Sequence, residues 1–229
     1  LKTLRENGFG GILADDMGLG KTLQVISLLL AEKQDYESGE KECRRSLIVC
    51  PASLVYNWQK ELERFAPELS TVTITGSAPE RKDIIRHTTE GQILITSYDL
   101  LKRDVEHYKN IVFAVQVIDE AQYIKNAGTQ AAKGVKKVTA SFKLALTGTP
   151  IENRLSELWS IFDYLMPGFL YTYQKFREEI ETPIAVNKDE NKMERLQRMI
   201  RPFILRRLKG DVLKDLPEKL EENIYAKME

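Results

Sequence analysis

Among 229 residues there are two cysteines, Cys43 and Cys50, and two histidines, His87 and His107. Neither number nor spacing fits a disulfide framework or a zinc cluster, so a reducing compartment is the expectation. Both histidines lie in polar surroundings and read as surface residues. No apolar run approaches the roughly eighteen residues of a membrane span, and the N-terminus lacks the charged, apolar and small-residue blocks of a signal peptide. No membrane partner is expected. Excess charge of either sign is missing too: Lys plus Arg and Asp plus Glu are both 34, so any nucleic-acid surface must be local. An initiator methionine is also absent, because the chain opens at Leu1; it is expected to be a piece of a longer protein.

Short β-rich runs alternate with helical patterns, the sign of a parallel sheet covered on both faces. Strands are predicted at Gly11 to Ala14, Ser46 to Cys50, Val72 to Thr75, Ile93 to Thr96, Phe113 to Asp119 and Lys143 to Thr147. Helices are predicted at Thr22 to Lys33, Leu54 to Phe65, Pro79 to His87, Tyr98 to Tyr108 and Thr129 to Val138. Gln34 to Arg45 reads as a polar surface loop. After Pro150 the alternation stops, and Leu155 to Leu165, Tyr173 to Ile180 and Met193 to Ile200 read as a helical appendage with no further sheet. The division is 1–153 for an α/β lobe and 154–229 for the appendage and its lead-out.

Ala14 to Thr22, ADDMGLGKT, stands between the first predicted strand and helix. Gly18 and Gly20 allow the positive φ that turns several N–H groups toward one anion, and the following helix adds its N-terminal dipole. Lys21 can reach the β- and γ-phosphates of a nucleotide, and the Thr22 hydroxyl can ligate Mg²⁺. The strict pattern G-x-x-x-x-G-K-[ST] is broken because Asp15 fills its first glycine slot.

Asp119 and Glu120 end an apolar strand, where a P-loop NTPase holds Mg²⁺ through the first acid and polarises the attacking water with the second. Side chains alternate along a strand, so adjacent acids cannot do identical work unless the backbone turns there. Thr147, Gly148 and Thr149 end another strand and suit a relay between nucleotide and a second ligand, with plain strand-to-turn chemistry as the alternative. Ser53 is a candidate helix N-cap, and Trp58 belongs to an apolar stripe with Leu54, Leu62 and Phe65, which favours a core role over base stacking. Ser53, Thr96 and Ser97, at strand-to-helix turns, are candidate contacts to backbone phosphate, as is Lys125. The basic stretch from Arg195 to Gly210 can meet phosphate, an acidic face, or solvent.

Together DDMGLGKTLQ, LIVCPASLVYNW, ITSYDLL, VIDEAQYIKN, ALTGTPIENRLSELWSIFDYLMPGFL and FILRRLKGDVLKDLPEKL resemble the first ATPase lobe of Swi/Snf-type DNA translocases of helicase superfamily two. The resemblance covers nearly the whole chain. It implies a RecA-like P-loop NTPase lobe, ATP and Mg²⁺ as cofactors, double-stranded DNA held by its backbone, and a second RecA-like lobe of the same parent chain. It places the cofactor loop on Asp15, Asp16, Met17, Gly18, Leu19, Gly20, Lys21 and Thr22. The catalytic set becomes Lys21, Asp119 and Glu120, the metal pair Thr22 and Asp119, and the coupling set Gln122, Thr147, Gly148 and Thr149. Asp15 in the glycine slot is what this family carries, whereas Gln122 stands where many members have His. Glutamine can bridge by hydrogen bonds but cannot titrate. The family's arginine fingers lie on the second lobe, so this chain by itself is expected to bind nucleotide weakly and turn it over negligibly. A nucleotide- or DNA-docking module without turnover is the alternative. The expected location is cytoplasmic, nucleoid-associated if prokaryotic.

Overall fold

The structure is a computed structural model that describes residues 1–148 and 155–212. Its centre is a sheet of seven strands: β1 (Gly11–Leu13), β2 (Ser46–Cys50), β3 (Thr71–Thr73), β4 (Ile93–Ser97), β5 (Val112–Ile118), β6 (Thr139–Leu146) and β7 (Ile204–Leu205). Their order across the sheet is β3-β4-β2-β5-β6-β1-β7, and each pairing is parallel. All strand C-termini therefore meet one edge, where α/β folds place their ligands.

α1 (Lys2–Glu6) precedes β1, and between the strands run α2 (Lys21–Glu37), α3 (Val55–Phe65), α4 (Ala78–His87), α5 (Tyr98–Asp104) and α6 (Gln130–Lys137). Further along are α7 (Leu155–Leu165), α8 (Tyr173–Phe176), α9 (Thr182–Asn187), α10 (Glu190–Ile200) and α11 (Lys209–Val212), with a π-helical turn at Arg177–Glu181 between α8 and α9. Each central strand is buried on both faces; all five residues of β2 are. Leu47 and Val49 enter one apolar cluster while Ile48 and Cys50 enter the other, as the two-residue period of a strand requires.

One expectation is corrected. The sheet does continue after the helical stretch: Ile204 and Leu205 return to pair with Ile12 and Leu13 of β1. Their run is too short to carry a strand period, and it forms because the edge of β1 offers unpaired backbone groups. The helices before it also share the lobe's core, since Leu158, Phe162, Phe176, Ile184 and Leu196 join the cluster of Ile12, Leu47 and Leu94. The proposed division at 153/154 falls outside the described residues.

Helix α2 likewise runs four residues beyond Lys33, into the expected loop. Its last turns are fixed by Arg5, a nearly buried guanidinium that reaches Glu32 and Asp35 at 2.5 Å each. Lys41 joins Asp35 at 3.1 Å. Charges that look solvated in the sequence are paired across elements. His87 and His107 are exposed, as expected.

A glycine loop and an acidic strand end share one edge

Where β1 ends, Gly18 (φ 86°) and Gly20 (φ 76°) take up left-handed backbone, and α2 begins directly at Lys21. A side chain at either glycine would be strained by that φ alone. The Lys21 ammonium lies along the loop and donates to the carbonyl oxygens of Asp15 (2.6 Å) and Asp16 (3.3 Å). Thr22 follows, half-buried, on the first turn. Met17 is exposed and Leu19 half-buried. Gly148, after β6, closes the other side: a Cβ there would come 3.4 Å from Met17 Cγ and 3.9 Å from Lys21 Nζ.

Asp15 is fully buried and makes no part of the loop's open face. One carboxylate oxygen accepts the Arg207 backbone N–H at 2.9 Å. The other accepts Gln24 Nε2 at 3.2 Å, Arg207 Nε at 3.1 Å and Arg207 Nη2. Burial alone would raise this carboxyl, but these bonds and the Arg207 charge outweigh it and hold it below the usual aspartate value. Asp16 accepts the Lys209 N–H at 3.0 Å. The glycine-slot carboxylate thus faces inward, to the returning segment after β7.

At the end of β5 the two acids separate. Asp119 follows β5 directly, its N–H donating to the Val49 carbonyl at 2.8 Å, and Glu120 turns into the left-handed region, φ 53° and ψ 60°. Asp119 Oδ2 accepts the indole N–H of buried Trp58 at 2.9 Å, and Oδ1 accepts the Glu120 N–H at 2.9 Å. Burial is the largest influence on the Asp119 carboxyl and raises it above the ordinary value, against the lowering by those two bonds. Its backbone carbonyl accepts the Tyr98 hydroxyl at 2.7 Å, and Tyr98 stacks on exposed Tyr123 with ring centroids 4.9 Å apart. Glu120 Oε2 accepts Gln122 Nε2 at 2.6 Å, while Gln122 Oε1 accepts the Thr147 hydroxyl at 3.4 Å. Gln122 therefore bridges the second acid to the end of β6. Thr149, the fourth coupling candidate, lies outside the described residues.

Of the candidate phosphate contacts, Ser53 is exposed but caps no helix: it sits inside the 3-10 turn Ala52–Leu54 that precedes α3. Lys125 is exposed and lies 3.5 Å from Glu157. Thr96 and Ser97 are buried. Thr96 is packed inside the sheet, and the Ser97 hydroxyl accepts the Leu100 N–H as the cap of α5. Their side chains do not reach the surface, because β4 is an interior strand.

Trp58 was legible only as a core residue. Sixty-one residues separate it from Asp119, and no local pattern announces the bond. A buried indole N–H needing an acceptor is the one hint in the sequence.

These features suit a nucleotide with Mg²⁺. That ion takes one or two protein oxygens and completes its shell with phosphate and water. Among the described residues no group of three or more His, Cys, Asp or Glu is placed to hold a metal by itself.

The model of the SNF2-related domain matches residues 1–229. The chain belongs to this family. It is 45% identical over 225 residues to the putative ATP-dependent helicase/translocase YwqA of Bacillus subtilis, covering 97% of the chain and 24% of that protein. It is 41% identical over 236 residues to the TATA-binding protein-associated factor MOT1 of Saccharomyces cerevisiae, covering 95% of the chain and 13% of that protein. Among solved structures, the Sulfolobus solfataricus SWI2/SNF2 ATPase core in complex with dsDNA superimposes with a TM-score of 0.81 at 40% identity. That match covers 94% of this chain and 44% of the other. The SNF2-related chain thus spans a quarter or less of these two curated relatives.

Proposed function

We propose that the chain is the first nucleotide-binding lobe of an ATP-driven translocase on double-stranded DNA. The observation that carries this reading is the continuous line at one sheet edge: glycine loop, Lys21, the Asp119–Glu120 turn, Gln122 and Thr147. In this reading Lys21 and the loop N–H groups hold the ATP phosphates, and Thr22 and Asp119 hold Mg²⁺, which neutralises phosphate charge. Glu120 orients the attacking water, and the Gln122 bridge passes its state to Thr147 and the β6 end. A second RecA-like lobe supplies the opposite wall of the cleft and its arginines. Closure around ATP and reopening then move the two lobes' DNA-backbone contacts relative to each other. Ser53 and Lys125 are the exposed candidates for those contacts here, and the cytoplasm or nucleoid is the setting.

The test is ATP turnover with and without duplex DNA by the protein carrying this lobe together with a second one. DNA-stimulated turnover that Glu120→Gln abolishes while ATP binding persists supports the reading. DNA-independent turnover points instead to a self-contained NTPase. Binding without turnover in the unmutated protein points to a docking module.

A further inference from the structure

Asp15 poses an electrostatic problem. An ionised carboxylate at zero exposure sits beneath a loop whose open face is built for an anion, and like charges at such range repel strongly when shielded from water. The returning segment answers it. Its backbone is laced to the loop on both sides of Asp15: Ala14 N–H donates to the Leu205 carbonyl at 2.7 Å and Asp16 N–H to the Arg207 carbonyl at 3.0 Å. Arg207 lays its guanidinium on the carboxylate, and the Lys209 N–H caps Asp16. Lys209 also runs over the loop, its Nζ 3.4 Å from where a Gly18 Cβ would stand. The carbonyl of the same Asp15 receives Lys21, so one residue holds the loop lysine through its backbone and Arg207 through its carboxylate.

We propose that Arg207 is a positioning residue of the nucleotide site: it neutralises Asp15 and locks segment 204–209 onto the phosphate loop, so that the loop presents a net positive field to a nucleoside triphosphate. Arg207 is not a contact to nucleotide, and its effect passes through Asp15. The proposal rests on the reading of the loop as an ATP site.

The experiment is fluorescence titration of the full chain with mant-ATP and mant-ADP in the presence of Mg²⁺. Arg207→Gln is expected to weaken mant-ATP by about tenfold or more, and mant-ADP by a smaller factor because it carries less charge. Asp15→Asn is expected to bind mant-ATP at least as tightly as wild type. The double variant Asp15→Asn/Arg207→Gln is expected to return within about threefold of wild type, since no buried charge is then left unpaired. A purely structural clasp predicts otherwise: the double variant would be as weak as Arg207→Gln, and both nucleotides would lose equally. Either result overturns the proposal, as does an Arg207→Gln chain that binds like wild type. If Arg207→Gln does not fold, a tenfold loss in Asp15→Asn refutes the charge argument alone. Lys21→Ala separates the underlying reading: if it binds mant-ATP as wild type does, the loop is not the ATP site, whereas its loss alongside an unaffected Arg207→Gln sinks only the present inference.

Discussion

Trp58→Phe removes one hydrogen-bond donor from the acidic strand end while keeping an aromatic ring in the core. Trp58 is 2% exposed and its Nε1 lies 2.9 Å from Asp119 Oδ2. A hydrogen bond to a charged acceptor contributes about 1.5–3 kcal/mol net, and one to a neutral acceptor about 0.5–1.5 kcal/mol. The cost of the substitution should therefore depend on pH. Burial raises the Asp119 carboxyl above its unfolded value of 3.8. Its contribution to stability is accordingly full below that value and is lost as pH rises through the folded value. Trp58 limits this loss by favouring the ionised form. In Trp58→Phe the loss grows, so the difference in unfolding free energy from wild type is largest near neutrality. Toward acid pH it shrinks by about 1 kcal/mol, leaving the neutral bond and the packing of the missing ring. Urea unfolding of both proteins from neutral pH to about pH 4 measures it, and the other carboxylates cancel in the difference. A cost that stays the same across this range would refute the assignment of Trp58 as a partner of ionised Asp119.

Two further outcomes follow from other contacts. Gln122→Ala cuts the 2.6 Å bond to Glu120 and the 3.4 Å bond from Thr147; it should cost at most about 1.5 kcal/mol in folding. In the two-lobed protein, DNA stimulation of ATP turnover should fall more than ATP affinity does. Arg81→Met should cost about 3–5 kcal/mol in urea unfolding, because Asp104, paired with it at 2.6 Å and 5% exposed in its side chain, is left as an uncompensated buried charge.

The parallel sheet was legible because its interior strands are continuous apolar runs separated by striped helices, and propensity, pattern and burial agree there. Legibility failed where an element exists through distant partners. β7 is two residues long and owes its form to the edge of β1, and the last turn of α2 owes its order to Arg5, thirty residues away from Asp35. The site shows the same division. Lys21, Asp119 and Glu120 could be placed from spacing, since a glycine loop and a strand end carry their own geometry. The inward direction of Asp15 could not, because its partner lies 192 residues away. The signal was present in halves, an acid in a glycine slot and an unrelieved basic run near Arg207, and only the fold joins them.

The turn at Glu120 explains how the acid next to Asp119 comes to face Gln122. Continued strand geometry would send the Glu120 side chain to the face opposite Asp119, away from Gln122. A left-handed glutamate costs roughly 1–3 kcal/mol and persists only if its surroundings fix it. They do so from both sides of the bend. Tyr98 holds the Asp119 carbonyl and is held in turn by Tyr123, while Asp119 Oδ1 takes the Glu120 N–H. Trp58 occupies the other Asp119 oxygen, so the carboxylate that stabilises the bend cannot easily rotate away from it. Glu120 is then free to face Gln122 and the end of β6. A glycine at position 120 would relax the backbone and lose the carboxylate, so the local strain is the condition for having the second acid turned toward Gln122 at this strand end.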